Sequence, residues 1–189
     1  MQTKEMEYLK SFKDVCKKIN SSLDYGEVLD VIAENTVRLL GVKACSIYLL
    51  DQDRKQWRVS ASHGLSDAYI RKGPISLEKS ISECLTGTWV WIPDATSDPR
   101  IQYPEKAKRE GIASILSVPI YVRENIIGVL RIYCSEPREF SDLDNEFISG
   151  LTDLGGIGIE NARMYDHLKL DHEKLIRDVH QWFEFGQAH

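Results

Sequence analysis

The chain has 189 residues, 42% hydrophobic and 28% charged, which suits one globular domain with helical extensions and a sizeable core. Its net charge of −5 comes from intermixed acids and bases, which excludes the basic footprint of a nucleic-acid binder. No apolar run approaches the ~18 residues of a membrane span and the opening MQTKEMEYLK lacks a signal-peptide core, so a cytoplasmic location without a membrane partner is expected.

In chain order, residues 4–23 predict an amphipathic helix, with Leu9, Phe12, Cys16, Ile19 and Leu23 stepping by three and four along one apolar seam. Asp24 predicts an N-cap, with Glu27 three residues on as in a capping box. The helix that follows runs to Leu40, buries Val28, Leu29, Ile32, Val37 and Leu40, and stops at Gly41. The period then changes. Residues 44–50 and 57–62 predict strands joined through 51–54. An irregular stretch from Gly64 to about Ser114 holds a short helix at 77–85, a Thr86-Gly87 turn, a strand at 89–92, a polar loop at 93–100 and a short helix at 104–109. Loops of such length in a compact domain point to function, here a lid over a binding cavity.

Residues 114–122 and 125–134 predict a hairpin, apolar on both faces, turning at Arg123-Glu124-Asn125. Ser141 predicts the cap of a final helix with Asp144 reaching back to it, and no stop precedes Gly186. Gly155, Gly156 and Gly158 predict close packing of that helix. Beyond Asn161 the seam Tyr165, Leu168, His172, Leu175, Val179, Trp182 repeats three, four, three, four, three, a coiled-coil pattern that needs a partner. Pairing it with the seam of the first helix predicts a homodimer held by a parallel bundle of four helices. His172 within the seam either sets register or adds mild pH dependence, or is simply partly solvated, the more common outcome for a polar seam residue.

Taken together, SLDYGEVLDVIAENTVRLLGV, ACSIYLLD, VSASHGLS, IPDATSDPR, GIASILSVPI, IIGVLRIY and FSDLDNEFISGLTDLGGIGIENARMY resemble, in order and spacing, the GAF domain family of small-molecule sensory and regulatory domains. The resemblance implies an α/β (α+β) fold: a central antiparallel sheet of five or six strands, terminal helices on one face, loops and short helices over a pocket on the other. It also implies a division into an N-terminal helix at 1–23, a GAF domain at 24–163 and a helical extension at 164–189.

Departures from specialised branches narrow the function. Ser135-Glu136 stands where cyclic-nucleotide binders carry an Asn-Lys pair, and Asn145 replaces the acid that ends their F-x-x-x-D-E run. The loop cysteines of free methionine sulfoxide reductases are absent from 93–113, and Cys84 is not matched to a bilin-attachment position. Haem ligation stays open in principle, although His63 lies in the common S-x-G-L turn, where a histidine is more often structural. His180 lacks the surroundings of a phospho-accepting histidine and no ATP-binding glycine boxes occur, which excludes a kinase.

Arg131 is the sharpest candidate ligand residue, on a strand face shared with Val129 and Tyr133. A buried guanidinium there either clamps a carboxylate or phosphate or pairs with a loop acid such as Asp94. Trp89 and Trp91 share a strand face and form either an aromatic wall or core. Asp94 organises a turn or touches ligand, and Tyr103 sits in the loop region. The four cysteines, Cys16, Cys45, Cys84 and Cys134, have no CxxC pair and are expected as buried small hydrophobes. Cys84 alone is weighed as redox-active. The expected function is a non-enzymatic sensory module that binds a small ligand, of unknown identity and with any cofactor unknown, and signals through dimeric terminal helices to a separate effector protein. The alternatives are a ligand-free dimerisation scaffold, its cavity filled by Trp89, Trp91 and Tyr103, and a cysteine-based redox sensor.

Overall fold

The computed structural model describes the backbone of residues 2–51, 56–73, 75 and 82–186, and the side chains of 3–50, 57–73, 75 and 82–179. Most of the turn expected at 51–54, the first part of the helix expected at 77–85 and the Trp182 side chain lie outside the described residues. The elements in order are α1 (Gln2–Ser21), α2 (Tyr25–Leu40), β1 (Ala44–Asp51), β2 (Gln56–His63), α3 (Asp67–Ile70), a 3₁₀ turn (Glu83–Thr86), β3 (Val90–Ile92), α4 (Pro104–Glu110), β4 (Ser114–Val122), β5 (Asn125–Cys134) and α5 (Asp142–Gly186). The five strands form one antiparallel sheet in the order β2-β1-β5-β4-β3, inside the expected range.

Both faces of the sheet are covered, which is why β4 and β5 read as near-continuous apolar runs. On one face Leu29, Ile32, Leu130, Ile132, Phe147 and Leu151 join α1, α2 and α5 to the strands. On the other, Tyr48, Tyr69, Cys84, Ile101, Ile115 and Tyr133 pack beneath α3, the 3₁₀ turn, α4 and their loops. The sheet is thus a partition between a helical layer and a loop layer.

α2 begins as expected at Asp24, whose side chain accepts from the Gly26 backbone N–H at 2.7 Å. Glu27 does not close a capping box. It accepts instead from Ser22 Oγ at 2.5 Å and pairs with Lys18 at 2.7 Å, tying the end of α1 to the start of α2. Gly41 closes α2 at φ 63°, a left-handed position where glycine carries no Cβ penalty. Val37 is only half-buried, while Ala33, Asn35 and Thr36 are buried.

α1 differs from the expected seam. Leu9, Cys16 and Leu23 are exposed, and the buried line runs through Tyr8, Ser11 and Val15, flanked by half-buried Phe12 and Ile19. Tyr8 turns inward because its ring stacks on Phe147 at 3.9 Å and its hydroxyl meets Asp144. Cys16 therefore departs from the expected burial, whereas Cys45, Cys84 and Cys134 are buried.

α5 starts on the expected reciprocal cap: the Asp144 backbone N–H donates to Ser141 Oγ at 3.3 Å, and the Ser141 N–H donates to Asp144 Oδ2 at 3.2 Å. Its glycines do permit close approach, since a Cβ on Gly156 would lie 2.0 Å from the Tyr121 carbonyl oxygen. From position 164 to 179 every α5 residue is exposed, so the helix runs beyond the body of the domain.

Candidate ligand-binding site

β5 places Arg131 at the centre of the sheet, facing the loop layer with Tyr133 and Val129, as the strand alternation predicts. Arg131 is 2% exposed, and its guanidinium lies 5.7 Å from the Tyr133 ring centroid. Its Nε and Nη2 have no hydrogen-bond partner among the described residues. The expected internal pairing with Asp94 does not form: Asp94 is on the surface, accepting from Thr96 N and Oγ1 at 2.8 and 2.7 Å and from Ser97 Oγ at 2.6 Å. Those bonds, from Ser97 first, hold its carboxyl down at about 2. Asp94 is a turn organiser.

Above Arg131 lies a cavity of about 10 Å³, room for a single water, bounded by Tyr69, Lys72, Gln102, Tyr103 and Arg131, with isoleucines closing the rest. Lys72, 7% exposed, was not legible as a site residue because it falls in a stretch without periodicity. Its Nζ donates to Tyr48 Oη at 3.2 Å and sits 3.8 Å over the Tyr69 ring. Tyr48 Oη lies 3.4 Å from Tyr133 Oη, which bonds Ser46 Oγ at 2.8 Å, so a buried polar chain runs from the sheet to Lys72.

The electrostatics follow from two cations sharing an apolar enclosure. Burial pushes the Lys72 ammonium down. Burial alone would raise the Tyr48 phenol, but the fields of Lys72 and Arg131 and the hydrogen bonds from Tyr133 and Lys72 bring it below its ordinary value. Tyr69, chiefly through burial, is pushed up to about 12. Among the described residues lining the cavity none is acidic. The site is an enclosed, positively charged niche.

The aromatic wall is a correction. Trp89 and Trp91 do share a face, but it is the other one: Val90 and Ile92 point into the loop-side core, Trp89 packs against the helix-side core and Trp91 is 42% exposed. Neither bounds the cavity, so the only expected filler present there is Tyr103. Cys84 is fully buried in the loop-side core, and desolvation pushes its thiol up to about 12, opposite to the activation a redox role requires.

The roof is braced by Arg100, which reaches Asp98 Oδ2 at 2.7 Å and Glu83 Oε2 at 3.0 Å, fastening the 93–100 loop to the 3₁₀ turn. On the helical side, Leu9 and Phe12 of α1 and Leu143, Phe147 and Gly150 of α5 line an open groove of about 550 Å³. Farther along α5, Tyr165, Leu168, His172, Leu175 and Val179 are all exposed, and Ile19 is half-buried against the core.

A GAF domain profile matches residues 22–160. The chain belongs to the GAF domain family.

Solved structures agree with the architecture. A GAF domain from a phosphoenolpyruvate-protein phosphotransferase of Coxiella burnetii superimposes with a TM-score of 0.73 at 19% identity, covering 86% of this chain and 98% of that one. Among curated proteins, the Methanosarcina acetivorans methyl sulfide methyltransferase-associated sensor is 27% identical over 186 residues, 94% of this chain and 18% of the relative. The Escherichia coli phosphoenolpyruvate-dependent phosphotransferase system is 25% identical over 143 residues, 74% of this chain and 19% of the relative. The chain thus spans about a fifth of the length of these relatives. Its matches include a protein described as a sensor and GAF domains of phosphotransferase and phytochrome proteins, and also a free methionine-R-sulfoxide reductase. Among the described residues no helix is long and apolar enough to cross a membrane.

Proposed function

We propose that this GAF domain is a non-enzymatic sensory module of the cytoplasm, with residues 24–163 as the sensing unit, flanked by α1 and the α5 extension. A small ligand seats against Arg131 under the 66–112 loops. Its arrival shifts the sheet against α1, α2 and α5 and changes how the α5 extensions of two chains pack, which a separate effector protein reads. The supporting observation is a guanidinium buried in the sheet with no acceptor for Nε or Nη2 among the described residues, on the face opposite the terminal helices. Such a group is costly to keep unless something answers its charge.

The second reading, a ligand-free dimerisation scaffold, draws on the smallness of the cavity, about 10 Å³. A thermal-shift screen of soluble metabolites separates the two. The sensor reading expects a compound that raises the melting temperature of the wild-type chain and not of Arg131→Met. The absence of any such compound at millimolar concentration contradicts it.

A further inference from the structure

Arg131 stands in a polar row that crosses three strands: Ser46 of β1 is its register partner on one side and Ser117 of β4 on the other. Residues directly opposite in neighbouring strands project from the same face, so the row forms the floor of the loop-side layer. Ser46 spends its hydroxyl on Tyr133. Ser117 Oγ, like Arg131 Nε and Nη2, is buried with no hydrogen-bond partner among the described residues. Three unanswered polar atoms therefore sit on two adjacent residues of one sheet face.

Their arrangement is selective. Nε–H and Nη2–H lie along one edge of the guanidinium as two parallel donors, the spacing that matches the two oxygens of a planar carboxylate. Lys72 is the other buried cation, but it already has the Tyr48 hydroxyl and the Tyr69 ring. The Arg131 guanidinium has only the more distant Tyr133 ring at 5.7 Å and, among the described residues, no acceptor for Nε or Nη2. Tyr69, Lys72, Gln102 and Tyr103 also line the cavity, but Ile75, Ile101 and Ile115 make the rest of it apolar and the free space is small. That favours a compact two-oxygen group with an apolar end over a fully polar tetrahedral phosphate.

We propose that the site takes a compact monocarboxylate, its two oxygens on Arg131 Nε and Nη2, with Ser117 Oγ donating to one of them and a short apolar stub against the isoleucines. This rests on the sensor reading above and specifies the ligand class. Entry displaces the Gln102 and Tyr103 side chains that now close the cavity.

The test is thermal melting and calorimetric titration of the full chain at constant ionic strength with sodium acetate, sodium propionate, neutral acetamide and inorganic phosphate. Acetate or propionate is expected to raise the melting temperature saturably, and acetamide and phosphate are not. Ser117→Ala should weaken carboxylate binding roughly tenfold, the loss of one hydrogen bond to a charged group. Arg131→Met should abolish the response while melting above the ligand-free wild type, because an apolar side chain replaces an unanswered buried charge. Equal protection by phosphate or by acetamide overturns the proposal. So does silence from both carboxylates up to about 100 mM, beyond what a specific site for so few atoms needs. If the carboxylates fail while the metabolite screen yields an Arg131-dependent binder, the ligand class falls and the sensor stands. If both fail, the sensor reading falls with it.

Discussion

Tyr8 donates its phenolic hydrogen to Asp144 Oδ1 at 2.6 Å, joining the first helix to the first turn of the last across 136 positions. The same carboxylate receives Lys4 Nζ at 2.8 Å and the Ser141 backbone N–H at 3.2 Å. Burial by itself would raise the Asp144 carboxyl, but the bonds from Lys4, Tyr8 and Ser141 together outweigh it and hold it at about 2. Burial, and after it the bond to Asp144, pushes the Tyr8 phenol well up.

A carboxyl depressed in the folded state contributes its full stabilisation above its unfolded value of about 4 and loses it as pH falls towards about 2. Between pH 5 and pH 2 the wild type should lose roughly 2 kcal/mol through this group, a loss absent in Asp144→Asn. Urea melts across that range check it. An unchanged pH slope in Asp144→Asn would assign the acid sensitivity elsewhere.

At Gly156 α5 comes close against the backbone of β4. Alanine favours a helix interior over glycine by about 1 kcal/mol. Here the new Cβ would lie 2.0 Å from backbone oxygen of Tyr121, an atom that cannot swing aside. Gly156→Ala should therefore destabilise by about 3 kcal/mol or more despite its helix propensity. Gly155→Ala, which meets the Ile32 Cδ1 methyl at 3.3 Å and the Leu29 Cδ2 methyl at 3.7 Å, both ends of flexible side chains, should be much milder. Equal melting temperatures for the two variants would mean that α5 does not dock as described.

Cysteine reactivity separates sensing by ligand from sensing by oxidation. Cys16 is exposed, whereas Cys45 and Cys84 are fully buried, with thiols that desolvation raises to about 12. Iodoacetamide at neutral pH should label Cys16 first and leave Cys84 untouched until the chain unfolds. Rapid labelling of Cys84 in the native protein would restore the redox reading.

The parts legible in the sequence are those whose pattern is local. β4 and β5, the Asp24 cap and the Ser141–Asp144 cap follow from residues within a few positions of one another. The inward face of α1 was not legible, because Leu9 and Cys16 offer a more apolar stripe than Tyr8 and Ser11. What turns Tyr8 inward is Asp144, far along the chain. Alternation put Trp89 and Trp91 on one face correctly, but both faces of this sheet are covered, so apolar character could not say which. Lys72 carried no signal. Ser46 and Ser117 did carry one, as polar residues in the interior of apolar strands that pair with Arg131.

The central claim is that occupation of the Arg131 niche is felt by paired α5 helices. Asp171 is exposed on the extension, so a spin label at Asp171→Cys, with exposed Cys16 replaced by serine, reports the separation between two copies. Paired helices with axes about 8–10 Å apart should give one short distance, and a saturating Arg131-dependent ligand should shift or broaden it. A signal with no dipolar coupling between chains, or a distance that the bound ligand leaves unchanged, would contradict the account.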